Sequence, residues 1–400
     1  MHQSGFHNII RKYCGKIRKG LSVRQSGQMG AEMKMEEKNS REEIYTAEKA
    51  FSWEENIRKV VPYVPGEQPD KQNVIKLNTN ECPYPPAPLV EKALQEFDHK
   101  NLRLYPDPEA SVLTEALAGY YGVEKEQVFV GVGSDDVLAM SFMTFFNSEK
   151  PILFPDITYS FYDVWAELYR IPYKTVPLTE EFLINPKDYH TENGGIVFPN
   201  PNAPTGVLES LEFIEDIVAA NPDVVVIVDE AYIDFGGESA LPLLKKYDNL
   251  LIVQTFSKSR AMAGMRIGYA IGNKKLISYL NNVKFSFNSY TMDRVTLQLG
   301  AAAVKDEAYF RETLAKVIKT REWTKEKLAA LGFVFGDSKS NFIFAAHREK
   351  KAEEIFTYLR SKDIFVRYFR KPRIDNYLRI SIGTDEEMEI LIKELTAFLK

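Results

Sequence analysis

Cysteine and histidine are scarce, and what they would build is excluded with them. Two cysteines in 400 residues, Cys14 and Cys82, are too few for a disulfide framework or a metal cluster. The five histidines, at positions 2, 7, 99, 190 and 347, are scattered without metal or nucleophile spacing. H-E-x-x-H, G-x-S-x-G and the Walker glycine loop are all missing, so those chemical classes drop out and no metal ligands are expected. No apolar run is long enough to span a bilayer, and the cytoplasm is the expected compartment. A surplus of positive charge is lacking too. Lys plus Arg number 51 against 56 Asp plus Glu, and a formal charge of -5 argues against a general nucleic-acid binder.

What is present is a chain of 400 residues, 44% hydrophobic and 27% charged, which is enough for two cored domains of an ordinary soluble protein. Its first fifty residues read differently. Residues 1–31 hold six Lys or Arg and no acidic residue, and MKMEEKNSREE follows without apolar periodicity. A disordered extension is expected there. A basic transit peptide and an upstream start, given Met29, Met33 and Met35, stay open as alternatives.

From Ser52 the pattern settles. Ser52 with Glu55 forms a candidate capping box, and VVPYVPG continues as an extended arm because its prolines fix the path. LNTNECPYPPAP reads as an ordered loop. LVEKALQEF and SVLTEALAGYYG read as helices, the second stopped by Gly122. Strands then alternate with helices: QVFVGVGS, PILFP, GGIVFPNP, VVVIVDEAY and LLIVQTFS are separated by amphipathic stretches. Short Val/Ile/Leu runs between such helices predict an α/β fold with a mostly parallel sheet covered on both faces. Sheets of this kind place ligands at the carboxyl ends of their strands. Gly133 to Asp135, Asp229 to Tyr232, and Ser257 with Lys258 therefore become candidates for one site. The remainder, with a long charged helix over 306–331 and strands GFVFGD, SNFIFAAH, IFVRYF and YLRISIG, reads as a smaller α+β unit. Its last helix opens on a capping box of Thr384 and Glu387.

The chemistry gathers around LIVQTFSKSRAMAGMRIG, residues 251–268. A strand end delivers Lys258 into a Ser/Arg-rich turn, where it suits a Schiff-base lysine, with Ser257 and Arg266 as donors to a nearby phosphate. An isolated S-K-x-R is more often a solvated basic loop. GVGSDD lacks the third glycine of G-x-G-x-x-G, because Asp136 stands there, which weakens a dinucleotide reading. A helix N-terminus with the Ser134 hydroxyl could instead hold one phosphate, or Ser134 could simply cap the helix. Asp229 follows VVVIV, so its carboxylate is expected to be poorly hydrated and to need a cation or donor, such as a protonated pyridine nitrogen. Tyr232 could reach an oxygen of the same ring or merely pack. Arg367 and Arg379 lie in alternating strands and could face inward or face solvent.

In this order PYVPG, LNTNECPYPP, LRLYPD, GSDD, NPNAPTG, VDEAYIDF, TFSKSRAMAGMRIGYAIG, IFVRYF and LRISIGT cover roughly residues 60–385. The set is similar to the fold-type I aminotransferases that depend on pyridoxal 5'-phosphate, and in its finer features it resembles the histidinol-phosphate aminotransferases. That resemblance implies an N-terminal arm with part of the small domain over 51–104, a large cofactor-binding domain over 105–295 and a small C-terminal domain over 296–400.

The resemblance also implies roles, position by position. Lys258 would bind the cofactor covalently and shuttle the proton, Asp229 would pair with the pyridinium, Tyr232 would bond the ring oxygen and Tyr159 would stack on the ring. Ser134, Asp135, Ser257 and Arg266 would hold the phosphate, with Tyr105 reaching in from a second subunit, so a homodimer is implied. Tyr63, Arg367 and Arg379 would grip the substrate's anionic end. Where the family has asparagine before Pro-Thr-Gly this chain has Ala203, so Asn202 is the candidate for that contact. The implied reaction is a ping-pong transamination between L-histidinol phosphate and 2-oxoglutarate, giving imidazole acetol phosphate and glutamate through pyridoxamine phosphate. An aromatic aminotransferase and a threonine-phosphate decarboxylase-like enzyme are the nearest alternatives. A non-catalytic pyridoxal-phosphate regulator would need a DNA-reading module that the first fifty residues do not supply.

Overall fold

The computed structural model describes residues 52–71 and 73–400, so the extension expected over 1–50, with Cys14, lies outside the described residues. The chain divides into two compact units, 1–59 and 60–400. In the first, Ser52–Asn56 is a short 3-10 helix. Ser52 is the first residue within that helix rather than the cap expected for it.

The second unit begins with the extended arm and strand β1 (Ile75–Leu77), then helices α1 (Pro88–Gln95) and α2 (Ser111–Tyr121). Gly122 ends α2 at φ 65, the left-handed conformation glycine adopts most easily. The alternating section follows as β2 (Val128–Gly131), α3 (Ser134–Phe145), β3 (Ile152–Pro155), α4 (Tyr162–Tyr169), β4 (Tyr173–Val176), β5 (Ile196–Pro199), α5 (Leu211–Ala220), β6 (Val226–Asp229), β7 (Leu250–Thr255) and β8 (Gly268–Gly272). Helices α6 (Lys274–Phe287), α7 (Arg294–Lys305) and α8 (Glu307–Ala330) lead to β9 (Phe333–Phe335), β10 (Phe342–His347), α9 (Ala352–Ser361), β11 (Ile364–Tyr368), β12 (Leu378–Ser381) and α10 (Asp385–Leu399).

The large sheet has seven strands in the order β2-β8-β7-β6-β5-β3-β4. Only β8 runs against its neighbours, so the sheet is mostly parallel, as its apolar runs predict. Alternation sets its two cores. Ile227, Leu251 and Val253 join Val137, Leu138, Phe142 and Trp165 on one face, while Val226, Val228, Leu250 and Ile252 join Ile214, Ile217 and Val218 on the other. The register pairs Pro199 with Asp229 and Asp229 with Val253, which levels the carboxyl ends of β5 and β6 and lets β7 run two residues further along the same edge.

The small sheet has the order β1-β11-β12-β10-β9 and is antiparallel except where β1 runs beside β11. Its register sets Arg367 directly opposite Arg379. Leu328, Leu359, Leu378, Ile380, Leu391 and Leu395 share the core under it. Thr384 and Glu387 form the expected capping box on α10. Helix α7, which straddles the division expected after residue 295, buries Leu297, Leu299, Ala303 and Val304 among Val128, Val130 and Tyr269 of the large sheet.

One close approach joins β8 to the end of β2. A Cβ on Gly268 would lie 2.2 Å from both Gly133 C and Ser134 N, backbone atoms that cannot swing aside. Gly268→Ala is expected to lower stability by roughly 1–3 kcal/mol through this overpacking. A thermal unfolding midpoint equal to the parent's would show that the two strand ends do not meet this closely.

Candidate active site

Six segments converge at the carboxyl edge of the large sheet. They line a cavity of about 170 Å³ whose walls include Ser134, Asp135, Tyr159, Asp229, Tyr232, Ser257, Lys258 and Arg266. A second chamber of about 480 Å³ shares Tyr159, Tyr232, Lys258 and Arg266 with the first and adds Tyr63, Arg367 and Arg379. The candidates named from the strand-end rule are therefore brought together.

At the floor, β6 ends on Asp229, which is 4% exposed and flanked by apolar strands. Its carboxylate accepts from the Tyr162 hydroxyl at 3.0 Å and from the Ala231 N–H at 3.2 Å. Both donors are neutral. Burial pushes this carboxyl up to about 6, the two hydrogen bonds and the Lys258 charge working in the opposite direction. A buried carboxylate held only by neutral donors is completed by a cation brought from outside.

Opposite it, the turn after β7 supplies the basic groups. Lys258 Nζ donates to the Thr79 carbonyl at 3.3 Å and lies 5.7 Å from the centre of the Tyr232 ring. Ser257 N–H donates to Thr255 Oγ1, and Arg266 reaches back to Ser257 Oγ at 3.4 Å. Arg266 also meets Asp135 at 3.1 Å, and the other oxygen of Asp135 accepts from the Tyr159 hydroxyl at 2.7 Å. Helix α3 starts here with Gly133 as its N-cap and no side-chain capping bond. Ser134 thus does not cap the helix, because it is already the first helical residue. The leading N–H groups of a helix have no intrahelical acceptor, and with Arg266 beside them they form an anion cup. A Cβ on Gly133 would strike the Arg266 guanidinium, so glycine keeps this cup open.

The outer chamber is bounded by the small sheet. Arg379 Nη2 donates to the Asn78 carbonyl at 3.0 Å, its Nε is buried without a partner, and desolvation, with Arg367 nearby, holds its guanidinium below its usual range. Arg367 and Arg379 both lie over Phe369, and no carboxylate pairs with either among the described residues. Tyr63 of the arm stacks on Phe161 at 4.1 Å between centroids.

Two candidates stand apart from both cavities. Asn202 is buried with its Nδ2 donating to the Ile157 carbonyl and to Thr205 Oγ1, each at 3.0 Å; Ala203, not Asn202, lines the chambers. Tyr105 is 76% exposed, its ring beside Tyr290 and its carbonyl held by Arg294. Sequence reasoning missed Thr79, Asn80 and Tyr162. Tyr162 sits one turn beyond Tyr159, and its aromatic spacing reads as core packing.

These groups fit a compact ring that carries a basic nitrogen, an oxygen and a phosphate, as pyridoxal phosphate does. The carboxylate suits the nitrogen, the Tyr232 hydroxyl the oxygen, the cup the phosphate and the lysine a carbonyl carbon.

Comparison with known proteins points the same way. The family described as "Aminotransferase class I and II" matches residues 72–395. A Histidinol-phosphate aminotransferase 1 from Hydrogenovibrio crunogenus is 57% identical over 348 residues, covering 87% of this chain and 98% of that protein. A histidinol-phosphate aminotransferase from Lactococcus lactis subsp. lactis is 52% identical over 350 residues, 88% of this chain and 97% of that protein. Among solved structures, histidinol-phosphate aminotransferase from Sinorhizobium meliloti in complex with pyridoxal-5'-phosphate shares the fold with a TM-score of 0.72 at 24% identity, covering 81% of this chain and 90% of that one.

The raised Asp229 carboxyl has a stability consequence. Its proton is held more tightly in the folded chain, at about 6 against a usual 3.8, so as pH rises through that window the ligand-free protein loses stability from this group. Asp229→Asn removes the loss. Relative to the parent, the variant should gain stability between about pH 4 and pH 6, levelling off on the order of 3 kcal/mol above. Urea unfolding at a series of pH values reads this directly, and a difference that does not change with pH would contradict it.

Proposed function

This chain belongs to the class I and II aminotransferase family and is a pyridoxal-phosphate-dependent enzyme, and on that premise we propose that it transfers an amino group between L-histidinol phosphate and 2-oxoglutarate. The observation that carries the substrate choice is the pair Arg367 and Arg379. Like charges directly opposite each other on adjacent strands repel, and among the described residues no carboxylate pairs with either. A doubly charged phosphate on the substrate does so, while a single carboxylate on the second substrate uses the same guanidiniums.

Bound pyridoxal phosphate supplies a carbonyl that captures amino groups and a ring that draws electrons from the carbon bearing them. The chain's residues do the rest. Asp229 keeps a proton on the ring nitrogen, and Tyr162 and Ala231 N–H hold the carboxylate ionised for that task. Tyr232 donates to the ring oxygen, and Tyr159, fixed by Asp135, covers the ring. Ser134, Asp135 backbone, Ser257 and Arg266 bind the phosphate. Lys258 Nζ is the amine that binds the carbonyl and, once released, moves the proton at the carbon bearing the substrate's amino group. The Thr79 carbonyl gives that free amine an acceptor within the cavity. Tyr63 and Phe161 flank the substrate entrance and exclude water.

The chain works as a homodimer in which Tyr105 of one protomer completes the phosphate site of the other. Tyr105 lies on an apolar surface with exposed Leu102, Leu104, Phe287 and Tyr290, which a second copy would cover. Sedimentation is expected to give a dimer, and a monomer that turns over at full rate would remove this part of the reading.

The reaction itself is tested by loading the protein with pyridoxal phosphate, recording the visible spectrum, and adding amino donors one at a time. Histidinol phosphate should bleach the band and 2-oxoglutarate restore it. Phenylalanine acting equally well would make the enzyme a broader aromatic aminotransferase, and carbon dioxide release from threonine phosphate would make it a decarboxylase. Lys258→Ala should lose the band and lower turnover at least ~10³-fold, by removal of both the covalent amine and the proton carrier.

A further inference from the structure

Asn80 is 1% exposed, sits in the left-handed conformation at φ 56, and has every polar group engaged. Its carbonyl accepts from Asn341 Nδ2 at 2.9 Å. Its backbone N–H donates to Ser381 Oγ at 2.9 Å, and Ser381 Oγ lies 2.9 Å from Asn80 Oδ1. Asn80 Nδ2 lies 2.9 Å from the Tyr232 hydroxyl.

Donor arithmetic fixes the direction of each of these bonds. A backbone N–H can only donate, so Ser381 Oγ is an acceptor from it. Ser381 then has one hydrogen left, and it goes to the Asn80 side-chain oxygen. That assignment turns the amide nitrogen toward Tyr232, where it can only donate. Having accepted, the Tyr232 hydroxyl must send its own hydrogen elsewhere, and the space left to it is the cavity it shares with Lys258 and Asp229.

We propose that Asn80 is a positioning residue which, locked by Ser381, makes Tyr232 a hydrogen-bond donor to an anionic oxygen in the inner cavity. This rests on the pyridoxal-phosphate reading, in which that oxygen belongs to the ring. The arrangement matters more here than the family pattern suggests. The Ala203 side chain has no donor, and the Asn202 Nδ2 hydrogens go to Ile157 and Thr205, so neither side chain donates beside Tyr232. The other titratable or charged groups lining that cavity are Lys258, Asp229, Tyr159, Asp135, Glu81 and Arg266, none of which depends on Asn80 for a hydrogen bond.

Asn80→Asp tests this at constant shape. A carboxylate has no N–H, accepts from Tyr232 instead, and so turns its hydrogen out of the cavity. Apo-protein titrated with pyridoxal phosphate should bind it roughly ten- to hundred-fold more weakly, the span of a lost hydrogen bond to a charged group. The pH at which the visible band of the loaded protein changes should move upward, because the ring oxygen loses a donor that favours its anion. Tyr232→Phe should move both readings the same way, and Asn80→Asp added to Tyr232→Phe should add almost nothing further. Ser381→Ala, which unlocks the amide without altering Asn80, should give a smaller change of the same sign. An Asn80→Asp protein with the parent's affinity and band, or a double variant in which the two effects multiply, would overturn the proposal. If Asn80→Asp does not fold, Ser381→Ala decides, and a spectrum unchanged from the parent overturns it. A parent protein that takes up no pyridoxal phosphate would instead overturn the functional reading beneath it.

Discussion

A carboxylate at the end of a strand that is buried on both faces is the constraint on which the site depends. Asp229 follows Val226, Ile227 and Val228, all without exposed surface, and sits level with the end of β5 and with Val253 of β7. Among the described residues nothing positively charged forms an ion pair with it. A carboxylate in such a place is unfavourable unless a cation completes it, so the folded chain holds a binding energy in reserve for a ligand with a basic nitrogen. Tyr162 and the Ala231 N–H reduce the penalty without removing it. Charged donors in their place would satisfy the carboxylate and weaken the call for a ligand.

The outer chamber repeats this device with opposite sign. Arg367 and Arg379 are held against each other by the register of β11 and β12, and the buried Arg379 Nε is unpartnered. The two charges sit on different sheets with no ion pair between them among the described residues, and residues 78–80 contact both sides. That short stretch binds all three parties: Asn78 takes the Arg379 guanidinium, Thr79 the Lys258 amine and Asn80 the Tyr232 hydroxyl. The loop read from its prolines and asparagines is thus the tie between Lys258, Tyr232 and Arg379.

How far the sequence reveals this depends on whether a feature is local. Parallel strands such as VIVD and LLIVQT are legible because burial on both faces demands continuous apolar side chains. Strand β4, YKTV, is not, since it lies at the sheet edge with three of its four residues exposed. Strand β8, GYAIG, is fully buried but glycine-bounded and antiparallel, and it reads as the tail of the lysine turn. Lys258 and Asp229 are legible because strand ends face one crevice, and Arg266 because it closes the Ser/Arg-rich turn that carries Lys258. Asn80, Thr79 and Tyr162 are not, because their partners lie 152, 179 and 67 residues away and no periodicity reports such a contact. For Asn202 the side-chain nitrogen is held by the Ile157 carbonyl, 45 residues away, and by Thr205, an arrangement no local pattern reports.

Separation of the two charges also separates two kinds of specificity. The groups that suit the ring sit on the large sheet and the turn after β7, so a change at Arg367 on β11 would alter the proposed anion site without touching Lys258 or Asp229, whereas β12 carries Arg379 and Ser381, both tied to the 78–80 loop. Arg367 is the position where that freedom is greatest. Its described contacts are the face of Phe369 and the arginine across the register, whereas Arg379 is tied to Asn78 and through it to the loop that also holds Lys258. Loss of Arg379 therefore disturbs the loop along with the anion site, while loss of Arg367 removes one charge and relieves a repulsion. On the proposed reaction, in which one site takes both a phosphate and a carboxylate, this asymmetry would keep one guanidinium fixed for every substrate and let the second contribute most to the doubly charged one.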